Sequence, residues 1–364
     1  MMRIGIIARS GKLGFTIRTD AFIRTLKKSP DFEVVYLNLN YLNPRETFKA
    51  IIGNLGQALS FSPLEIKKRE IKADYAGKQL DKIVERERID LLQAETTLSA
   101  YIWLRSKRLR PCIFDMHGLS YEQLIEQGVI KEKRVDVYWK NLQESVIKGC
   151  DHIFAVSSPM VDYLSPYKSR DKIAIVPSGG EILPFKAEFA TPLKLIYAGI
   201  FEYWERVEDY AAMSNSPVDA QFYLMGDGRL KEQILSNRFR LQYLGYFPRQ
   251  EALKRMAEFQ IGVAPSSIDI TRQVASPIKV FDYMSVGLPV LTPNVGDWSE
   301  IIKRHKCGIV VEKNEPASFV AALSEFNKES WSVMSENGRQ LIREEYNWET
   351  LIRERAFPVY SQFV

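Results

Sequence analysis

Residues 260–292 decide the fold of this chain, and their sequence is QIGVAPSSIDITRQVASPIKVFDYMSVGLPVLT. An apolar strand is predicted over 260–264 and a second one over 289–292, with a polar loop and a helix between them. Ser276 is the predicted N-cap of that helix, and Pro277 takes its first position. A strand, a helix and a second strand in this order form the βαβ unit of a parallel sheet. An anion at the start of this helix would meet free N–H groups and the positive end of the helix dipole.

The same alternation of apolar strands and amphipathic helices runs through all 364 residues, with one interruption. Six strands are predicted on each side of it: 4–8, 34–39, 89–93, 112–116, 152–156 and 173–176, then 195–198, 221–225, 241–244, 260–264, 289–292 and 308–311. We therefore predict an α/β protein with two Rossmann-like, doubly wound domains that face each other across a cleft. The interruption, residues 177–192, is rich in Pro and Gly and is the predicted hinge.

The predicted domains cover 1–182 and 183–347. Residues 314–363 are predicted to be helical apart from Pro358, and the aromatic last stretch, about 348–364, is predicted to pack back on the first domain. In open α/β sheets, ligands bind outside the carboxyl ends of the strands, so the chemistry of both domains is expected there.

Composition excludes several classes of protein. Hydrophobic residues make up 46% and charged residues 26% of the chain, which is ordinary globular usage and unlike disordered, collagen-like or coiled-coil chains. No apolar run approaches the roughly 18 residues of a spanning helix, and the first residues lack the pattern of a secretory signal. We therefore expect a cytoplasmic protein.

Metal and disulfide chemistry is not expected. The cysteines are odd in number, and neither they nor the histidines have metal-ligand spacing: Cys112, Cys150, Cys307, His117, His152 and His305. The sequence contains no DxD pair to clamp a divalent ion against a diphosphate. We predict metal-independent chemistry without a bound cofactor.

Positive charge is concentrated in the first half of the chain. Residues 1–180 contain 29 Lys and Arg against 21 Asp and Glu, a net charge of +8, whereas the remainder has 21 against 24, a net charge of −3. The basic residues form three clusters: Lys67, Lys68, Arg69 and Lys72; Arg105, Lys107, Arg108 and Arg110; and Lys131, Lys133 and Arg134. Two interpretations stay open: ordinary solvated helix faces, or peripheral contact with an anionic inner membrane face or a phosphorylated acceptor.

A glycine-containing turn, GKLGF, follows the first predicted strand and opens a helix. Such a turn can present backbone N–H groups to an anion. It is not the GxGxxG fingerprint, and no acid closes the next strand to hold a ribose, which disfavours a nicotinamide dehydrogenase. Gly14 and Phe15 are therefore candidates for lining a substrate site in the cleft. Tight strand-to-helix packing is the other interpretation of the glycines.

The segment IFDMHGLSYEQ, residues 113–123, is a second candidate. It places Asp115 and His117 at the carboxyl end of a predicted strand, where α/β domains present catalytic groups. His117 is therefore the candidate catalytic residue, and Glu122 is a second candidate functional residue in the cleft. A structural role is the alternative for both.

Groups that suit a nucleotide occur in the second half. Lys279 would add a positive charge at the helix start that Ser276 caps. Asp282 lies one turn later, where its carboxylate could accept hydrogen bonds from a ribose diol. Gly226 belongs to a GDG turn after another predicted strand. A single turn of this kind is weak evidence for a nucleotide site.

The order of five motifs resembles a known family. In chain order they are VSSPM, GDG, YLGYFP, PSS and SPIKVFDYMSVGLPV. This order is similar to that of the retaining family 4 glycosyltransferases of the GT-B fold, whose carboxyl domain carries an E-x7-E block followed by MA-x-G-x-PV. The resemblance covers nearly the whole chain, is strongest over 222–310 and is weak in the acceptor-binding half.

The resemblance implies an enzyme that moves a sugar from a UDP- or GDP-sugar to a hydroxyl acceptor with retention of anomeric configuration. Such a hexosyltransferase would act in glycan biosynthesis on a glycan or lipid-linked acceptor, without a metal ion or a nucleic-acid partner. Residues 1–182 would form the acceptor side, and residues 183–347 would bind the nucleotide sugar.

Matching positions carry the family's roles over to this chain. Asp282 matches the second acid of E-x7-E and would hold the ribose hydroxyls. His117 matches the amino-domain histidine that faces the transferred sugar. The other donor contacts that the resemblance implies are the diphosphate cradle Ser276, Pro277, Ile278 and Lys279, and the base pocket Gly226, Gly245, Tyr246 and Phe247.

The chain departs from the family at three positions. Val274 falls at the first acid of the block and cannot hydrogen-bond a sugar hydroxyl. After the first strand of the carboxyl domain, Ile200 replaces an Arg and Glu205 replaces a Lys, and both family residues neutralise the departing diphosphate. The candidates to compensate are Arg206, Arg272 and Lys279.

These departures keep two other functions open. A non-catalytic partner subunit that binds a sugar nucleotide would tolerate all three departures from the family. A GT-B epimerase acting on a nucleotide sugar would need further acid/base groups in the cleft, and the sequence offers only His117 and Glu122.

Overall fold

The computed structural model describes the following residues of the chain: 1–8, 15–39, 63–130 and 132–363. Within them the chain forms two six-stranded sheets, and all strand pairings are parallel. The predicted α/β class is confirmed, and each predicted strand is present with its ends within two residues of the prediction. The chain divides into two units, Met1–Pro177 with Leu351–Val364, and Ser178–Thr350.

The first unit contains a sheet with the strand order β2-β1-β3-β4-β5-β6. Its strands are β1 Met2–Ala8, β2 Phe32–Asn38, β3 Leu91–Ala94, β4 Cys112–Met116, β5 His152–Ala155 and β6 Ile173–Ile175. Its helices are α1 Phe15–Lys27, α2 Pro63–Arg86, α3 Thr97–Leu104, α4 Ser120–Glu126, α5 Lys133–Gly149 and α6 Ser158–Leu164, with a 3-10 turn at Arg170–Lys172. The strands β3 and β4 are buried along their whole length, as expected when helices cover both faces of a parallel sheet.

The second unit repeats this architecture with the strand order β12-β11-β10-β7-β8-β9. Its strands are β7 Leu193–Ile200, β8 Ala220–Asp227, β9 Leu241–Gly245, β10 Ile261–Val263, β11 Val290–Pro293 and β12 Gly308–Val311. Its helices are α7 Val207–Met213, α8 Lys231–Ser236, α9 Arg249–Met256, α10 Ile270–Gln273, α11 Ile278–Val286, α12 Gly296–His305, α13 Pro316–Ala322 and α14 Lys328–Leu341, with 3-10 turns at Tyr203–Glu205 and Leu323–Glu325.

In both sheets the strand order reverses at one place, and this place is the usual ligand site of open α/β sheets. The reversal lies between β1 and β3 in the first unit and between β7 and β10 in the second. Loops that leave the carboxyl ends of these four strands are therefore the ones in which functional side chains are expected.

The end of the chain is helical with two interruptions. After α14 it continues through a π turn Ile342–Tyr346, α15 Trp348–Leu351, a π turn Ile352–Ala356, α16 Phe357–Tyr360 and a 3-10 turn Ser361–Phe363. The prediction of unbroken helix is wrong at Asn327 and Asn347, because each side chain accepts backbone N–H groups of the next turn and so starts a new helix. Pro358 lies in the first turn of α16, where an N–H group is not needed.

The last residues pack within the first unit. The ring of Phe32 in β2 meets Phe357 edge-on at 4.8 Å and Tyr360 at 5.7 Å between centroids. The Tyr360 hydroxyl donates a hydrogen bond to the side-chain carbonyl of Gln93 in β3. The chain from Leu351 onward therefore supports the sheet of the first unit.

Most of the predicted hinge 177–192 belongs to the second unit, which begins at Ser178. The Ser178 N–H donates to Ser276 Oγ at 2.9 Å, and Ser178 Oγ donates to the Ser276 carbonyl at 2.6 Å. Further along, the Ala187 N–H donates to the Val286 carbonyl at 2.7 Å. These bonds attach residues 178–187 to both ends of α11, and the boundary between the units falls at the start of the predicted hinge, which stays a prediction. No helix in the described ranges is both long and apolar enough to cross a membrane.

Candidate active site

The candidate catalytic histidine lies at the carboxyl ends of β3 and β4, next to the reversal of strand order. Glu95 directly follows β3, Asp115 lies near the end of β4, and His117 directly follows β4. His117 Nε2 is 3.2 Å from Asp115 Oδ2 and 3.4 Å from Glu95 Oε2. The histidine therefore contacts two buried carboxylates.

Arg18 from α1 binds both oxygens of Asp115. Its Nε donates to Asp115 Oδ2 at 2.9 Å, and its Nη2 donates to Asp115 Oδ1 at 2.8 Å. The Arg18 side chain is 3% exposed and that of Asp115 is fully buried. The remaining Nη1 donates to the Pro177 carbonyl at 3.0 Å. A buried ion pair requires this kind of geometry, because the loss of hydration must be offset by satisfied hydrogen bonds.

Glu95 is held by two further donors. The Thr19 hydroxyl donates to Glu95 Oε2 at 3.0 Å, and Gln93 Nε2 donates to Glu95 Oε1 at 2.6 Å. Because Tyr360 bonds Gln93, the C-terminal segment takes part in the polar network around His117.

These contacts set the charge of His117. Burial disfavours the imidazolium, but Asp115 and Glu95 outweigh burial and raise the pKa of His117 to about 9. Burial also disfavours the Asp115 carboxylate, but Arg18 and His117 outweigh it and lower the pKa of Asp115 to about 2. At neutral pH His117 is therefore an imidazolium that donates hydrogen bonds, and it cannot act as a general base.

Glu95, Asp115 and His117 also form a group whose ligand atoms all lie within 4.8 Å of one another. A divalent cation would compete here with the Arg18 guanidinium for Asp115 and with the proton on His117. These competing interactions disfavour a metal ion at the three ligand atoms. Metal-independent chemistry stays a prediction.

The other candidates of the first unit have different surroundings. Gly14 lies outside the described residues, and Phe15 is the first residue of α1, with a side chain that is likewise outside the description. Glu122 in α4 accepts hydrogen bonds from the Tyr163 hydroxyl and, at 2.9 Å, from Gln143 Nε2. These bonds tie α4 to α5 and α6.

A second charged cluster lies in the second unit beside the reversal between β7 and β10. Lys279 Nζ pairs with Glu205 Oε2, and Arg272 Nη2 lies 3.4 Å from Glu205 Oε1. The Lys279 and Arg272 side chains are each 11% exposed, and that of Glu205 is 7% exposed. Glu205 follows β7 and Arg272 follows β10, so the topology brings together residues that are far apart in sequence.

Arg206 has another partner. Its backbone is left-handed, with φ of 49°, and its Nε donates to the Asp209 carboxylate. Glu205, one residue earlier, is the one that meets Arg272 and Lys279. Ile200 ends β7, and Val274 is fully buried just after α10.

The start of α11 differs from the prediction by one residue. The helix begins at Ile278 with Pro277 as its N-cap, and no side chain caps it. The predicted cap, Ser276, is wrong because its hydroxyl accepts the N–H of Ser178 instead. Lys279 remains in the first turn, next to backbone N–H groups that have no acceptor within the helix.

Asp282, the candidate ribose ligand, faces an arginine. Arg249 Nη2 donates to Asp282 Oδ1 at 2.5 Å, and Arg249 Nη1 lies 3.6 Å from Glu181 Oε1. Burial raises the pKa of Asp282, and Arg249 opposes this rise. A ribose hydroxyl at Asp282 would therefore share the carboxylate with Arg249.

The predicted base-pocket residues border β8 and β9. Gly245 ends β9 with φ of 100°, Tyr246 is 52% exposed, and the Phe247 ring packs 4.0 Å below the Arg255 guanidinium. Gly226, near the end of β8, has φ of 138°, and a Cβ there would lie 1.8 Å from the Gly199 carbonyl oxygen. Close approach of β7 and β8 therefore requires this glycine.

Four charged residues of these clusters were not recognised from sequence as partners: Arg18, Glu95, Glu181 and Arg249. Glu95 could have been found, because it directly follows a strand as His117 does. Arg18 and Arg249 lie on helices and Glu181 lies in an irregular segment, and none of them belongs to a motif.

Comparison with known proteins agrees with this architecture. Residues 19–180 match the family described as Glycosyltransferase Family 4, and residues 194–328 match the family described as Glycosyl transferases group 1. The solved structure of sucrose-phosphate synthase from Thermosynechococcus elongatus superposes with a TM-score of 0.75 at 14% identity, over 100% of this chain and 99% of that one. The fold is thus that of the two-domain GT-B glycosyltransferases.

Two curated relatives have similar sequences over most of their length. An uncharacterized glycosyltransferase of Methanocaldococcus jannaschii is 25% identical over 350 residues, which cover 93% of this chain and 92% of the relative. The UDP-Gal:alpha-D-GlcNAc-diphosphoundecaprenol alpha-1,3-galactosyltransferase of Escherichia coli is 21% identical over 300 residues, 74% of each chain. The chain belongs to the family 4, group 1 glycosyltransferases.

Proposed function

We propose that this glycosyltransferase is a retaining hexosyltransferase that moves a sugar from a nucleoside diphosphate donor to a hydroxyl acceptor. The observation that carries the proposal is the pair of buried cations, Arg272 and Lys279, next to the first turn of α11. Cations and helix N–H groups together favour a diphosphate. The E. coli relative, named as a UDP-Gal transferase acting on a diphosphoundecaprenol-linked sugar, supports a UDP-sugar donor and a lipid-linked acceptor.

In the proposed reaction the bond between the anomeric carbon and the diphosphate oxygen breaks. The acceptor oxygen bonds the same face of that carbon, and its proton passes to a phosphate oxygen of the leaving diphosphate. Arg272, Lys279 and the start of α11 stabilise the negative charge that develops on the leaving group. Asp282 holds the ribose, and the His117 imidazolium donates a hydrogen bond to the transferred sugar.

A donor panel tests the proposal. Purified protein incubated with UDP-, GDP- and ADP-sugars and a lipid-linked or glycan acceptor is expected to release nucleoside diphosphate, with and without EDTA. The anomeric configuration of the product, read by NMR, tests retention. Absence of turnover with all three donor classes would contradict the proposal, and loss of turnover in EDTA would contradict metal independence.

One alternative has specific support. Glu205 pairs with both cations, and Val274 replaces an acid of the family block, so a non-catalytic subunit that binds a sugar nucleotide is the second candidate function. Nucleotide binding without turnover for any donor would favour it. Loss of measured turnover on changing His117 would exclude it.

Asp282→Ala is expected to weaken UDP binding by about 1–3 kcal/mol, because a charged acceptor for the ribose hydroxyls is lost. Isothermal titration calorimetry measures the change. Glu251→Ala is the control, since Glu251 is an exposed acid of α9 paired with Arg255. Equal affinities of wild type and Asp282→Ala would remove Asp282 from the donor site.

We also propose that the first unit contacts anionic membranes through α2. Lys67, Ile71, Tyr75 and Lys78 are exposed and recur at spacings of four and three, which places them on one face of the helix. Exposed apolar side chains between lysines suit a lipid surface. In the described part of the second basic cluster, Arg105 forms an ion pair with Asp74, so part of the positive charge of that cluster is neutralised. Lys131 of the third cluster lies outside the described residues.

Liposome sedimentation tests the membrane contact. Wild type is expected to bind anionic but not neutral vesicles and to be released by salt, because the Debye length falls from about 10 Å at 0.1 M to about 3 Å at 1 M. The double variant Lys67→Glu, Lys78→Glu is expected to lose binding. The control Lys254→Glu, Lys328→Glu makes the same charge change in the second unit and is expected to keep it. Equal behaviour of the two double variants would contradict the assignment to α2.

A further inference from the structure

Glu205 is a buried acid that the proposed reaction does not use. It ends the 3-10 turn after β7, and its carboxylate contacts both cations of the proposed diphosphate site. The related family has a lysine at this position, so the sign of the charge is reversed in this chain. A negative group at a site for a negative ligand calls for a physical explanation.

The two cations have anchors besides Glu205. Lys279 Nζ donates to the Tyr197 hydroxyl at 2.9 Å and lies 4.4 Å from the centre of the Tyr197 ring. Arg272 Nε donates to Ser266 Oγ at 3.1 Å. Because these contacts orient both side chains, the main effect of the Glu205 carboxylate is electrostatic.

The cluster contains two cations and one carboxylate. Burial raises the pKa of Glu205, but Lys279 and Arg272 outweigh it and bring this pKa below its usual value, so Glu205 is ionised at neutral pH. The net charge that meets a ligand is therefore +1 rather than +2. A diphosphate bound at the same donors would be repelled by the carboxylate at short range in a poorly solvated site.

We propose, on the basis of the proposed function, that Glu205 is a built-in competitor of the donor diphosphate. Its carboxylate accepts a hydrogen bond from Lys279 and forms an ion pair with Arg272, and both cations are groups that a phosphate oxygen would use. It therefore weakens the binding of donor and of released nucleoside diphosphate alike. Weaker product binding speeds release of the nucleoside diphosphate after transfer. Glu205 is in this sense an affinity-determining residue and not a catalytic one.

Calorimetric titration with UDP, repeated with GDP and ADP, tests the proposal at low salt. Glu205→Gln keeps the shape of the side chain and removes its charge, and it is expected to bind UDP about tenfold more tightly than wild type. Glu205→Asp keeps the charge and is expected to bind as wild type does. Glu202→Gln is the matched control, because Glu202 is a buried acid of the same loop that pairs with Arg229, and it is expected to leave the affinity unchanged.

A second pair of variants keeps the test valid if Glu205→Gln does not fold. Arg272→Met lowers the charge of the cluster to zero and is expected to weaken UDP binding about tenfold. The double variant Arg272→Met, Glu205→Gln removes one charge of each sign, so it avoids an unpaired buried charge and is expected to restore affinity towards that of wild type. Thermal unfolding shows which variants are folded.

The outcomes separate the two proposals. If wild type binds a nucleoside diphosphate but folded Glu205→Gln binds it no more tightly, the role of Glu205 is overturned and the proposed function stands. The same holds if the double variant binds no more tightly than Arg272→Met. If neither wild type nor any folded variant binds UDP, GDP or ADP, the proposed function fails and the role of Glu205 fails with it.

Discussion

Replacing Arg18 with methionine is expected to lower the free energy of unfolding of the first unit by about 3–5 kcal/mol, because Asp115 would stay buried without its bidentate partner. Urea unfolding followed by tryptophan fluorescence and circular dichroism measures the change. This is the largest effect on stability that we expect from a single substitution in either charged cluster.

Two variants check the cause of this loss. Arg170→Met removes a pair with Asp162 whose side chains are 66% and 69% exposed, and it is expected to cost about 1 kcal/mol or less. Arg18→Met with Asp115→Asn is expected to recover part of the stability, because no buried charge is left unpaired. A loss in Arg18→Met as small as that in Arg170→Met would contradict the account.

The Arg18 effect also has a defined pH dependence. The folded pKa of Asp115, about 2, lies below its ordinary value of 3.8. Its contribution to stability is therefore complete above pH 3.8 and is lost as the pH falls through about 2. The difference between wild type and Arg18→Met is expected to narrow over this acidic range.

Replacing His117 with alanine is expected to lower turnover more than about tenfold while UDP binding stays nearly constant. The physical reason is that the imidazolium would contact the transferred sugar, an interaction that strengthens in the transition state, and not the nucleotide. Steady-state kinetics and calorimetry give the two quantities. His305→Gln, a change at the end of α12, is the control and is expected to be active. Equal losses of turnover and binding would instead indicate a structural histidine.

The charge of His117 makes this role depend on pH in the alkaline range. Its folded pKa, about 9, lies above the ordinary value of 6.5. The stabilisation from its two carboxylates is therefore complete below pH 6.5 and is lost as the pH rises through about 9. Turnover of wild type is expected to decline over the same range, and a flat profile up to pH 10 would contradict an imidazolium role.

The strands and the class of fold were predictable because their signals are local. Short, mostly apolar runs such as those of β4 and β12 have the same ends in the prediction and the structure. The sequence also predicted that His117 and Asp115 lie together, since both belong to one strand and the turn after it and functional groups are expected at the carboxyl ends of strands. The motif around Asp282 carried the family assignment, which the comparisons confirm.

The predicted N-cap of α11 is wrong because a distant residue competes for the same hydroxyl oxygen. Ser276 looks like an N-cap in its local sequence, but the N–H of Ser178, 98 positions away, takes its hydroxyl oxygen. The segment after Pro177 likewise finds hydrogen-bond partners at Ser276 and Val286, which its Pro- and Gly-rich composition does not predict. Local pattern cannot report such competition, because the competing donor is brought in only by folding.

By itself, the sequence determined the two parallel α/β sheets and the residue types available at their carboxyl ends. Only the tertiary structure decided how the charges combine. Arg18 and Asp115 are 97 positions apart in the sequence, and Lys279 and Glu205 are 74 apart. Neither ion pair can therefore be predicted from the spacing of nearby residues. The reason is that a buried charge must find an opposite charge within a few ångströms. The path of the chain across the sheet decides which residue that is.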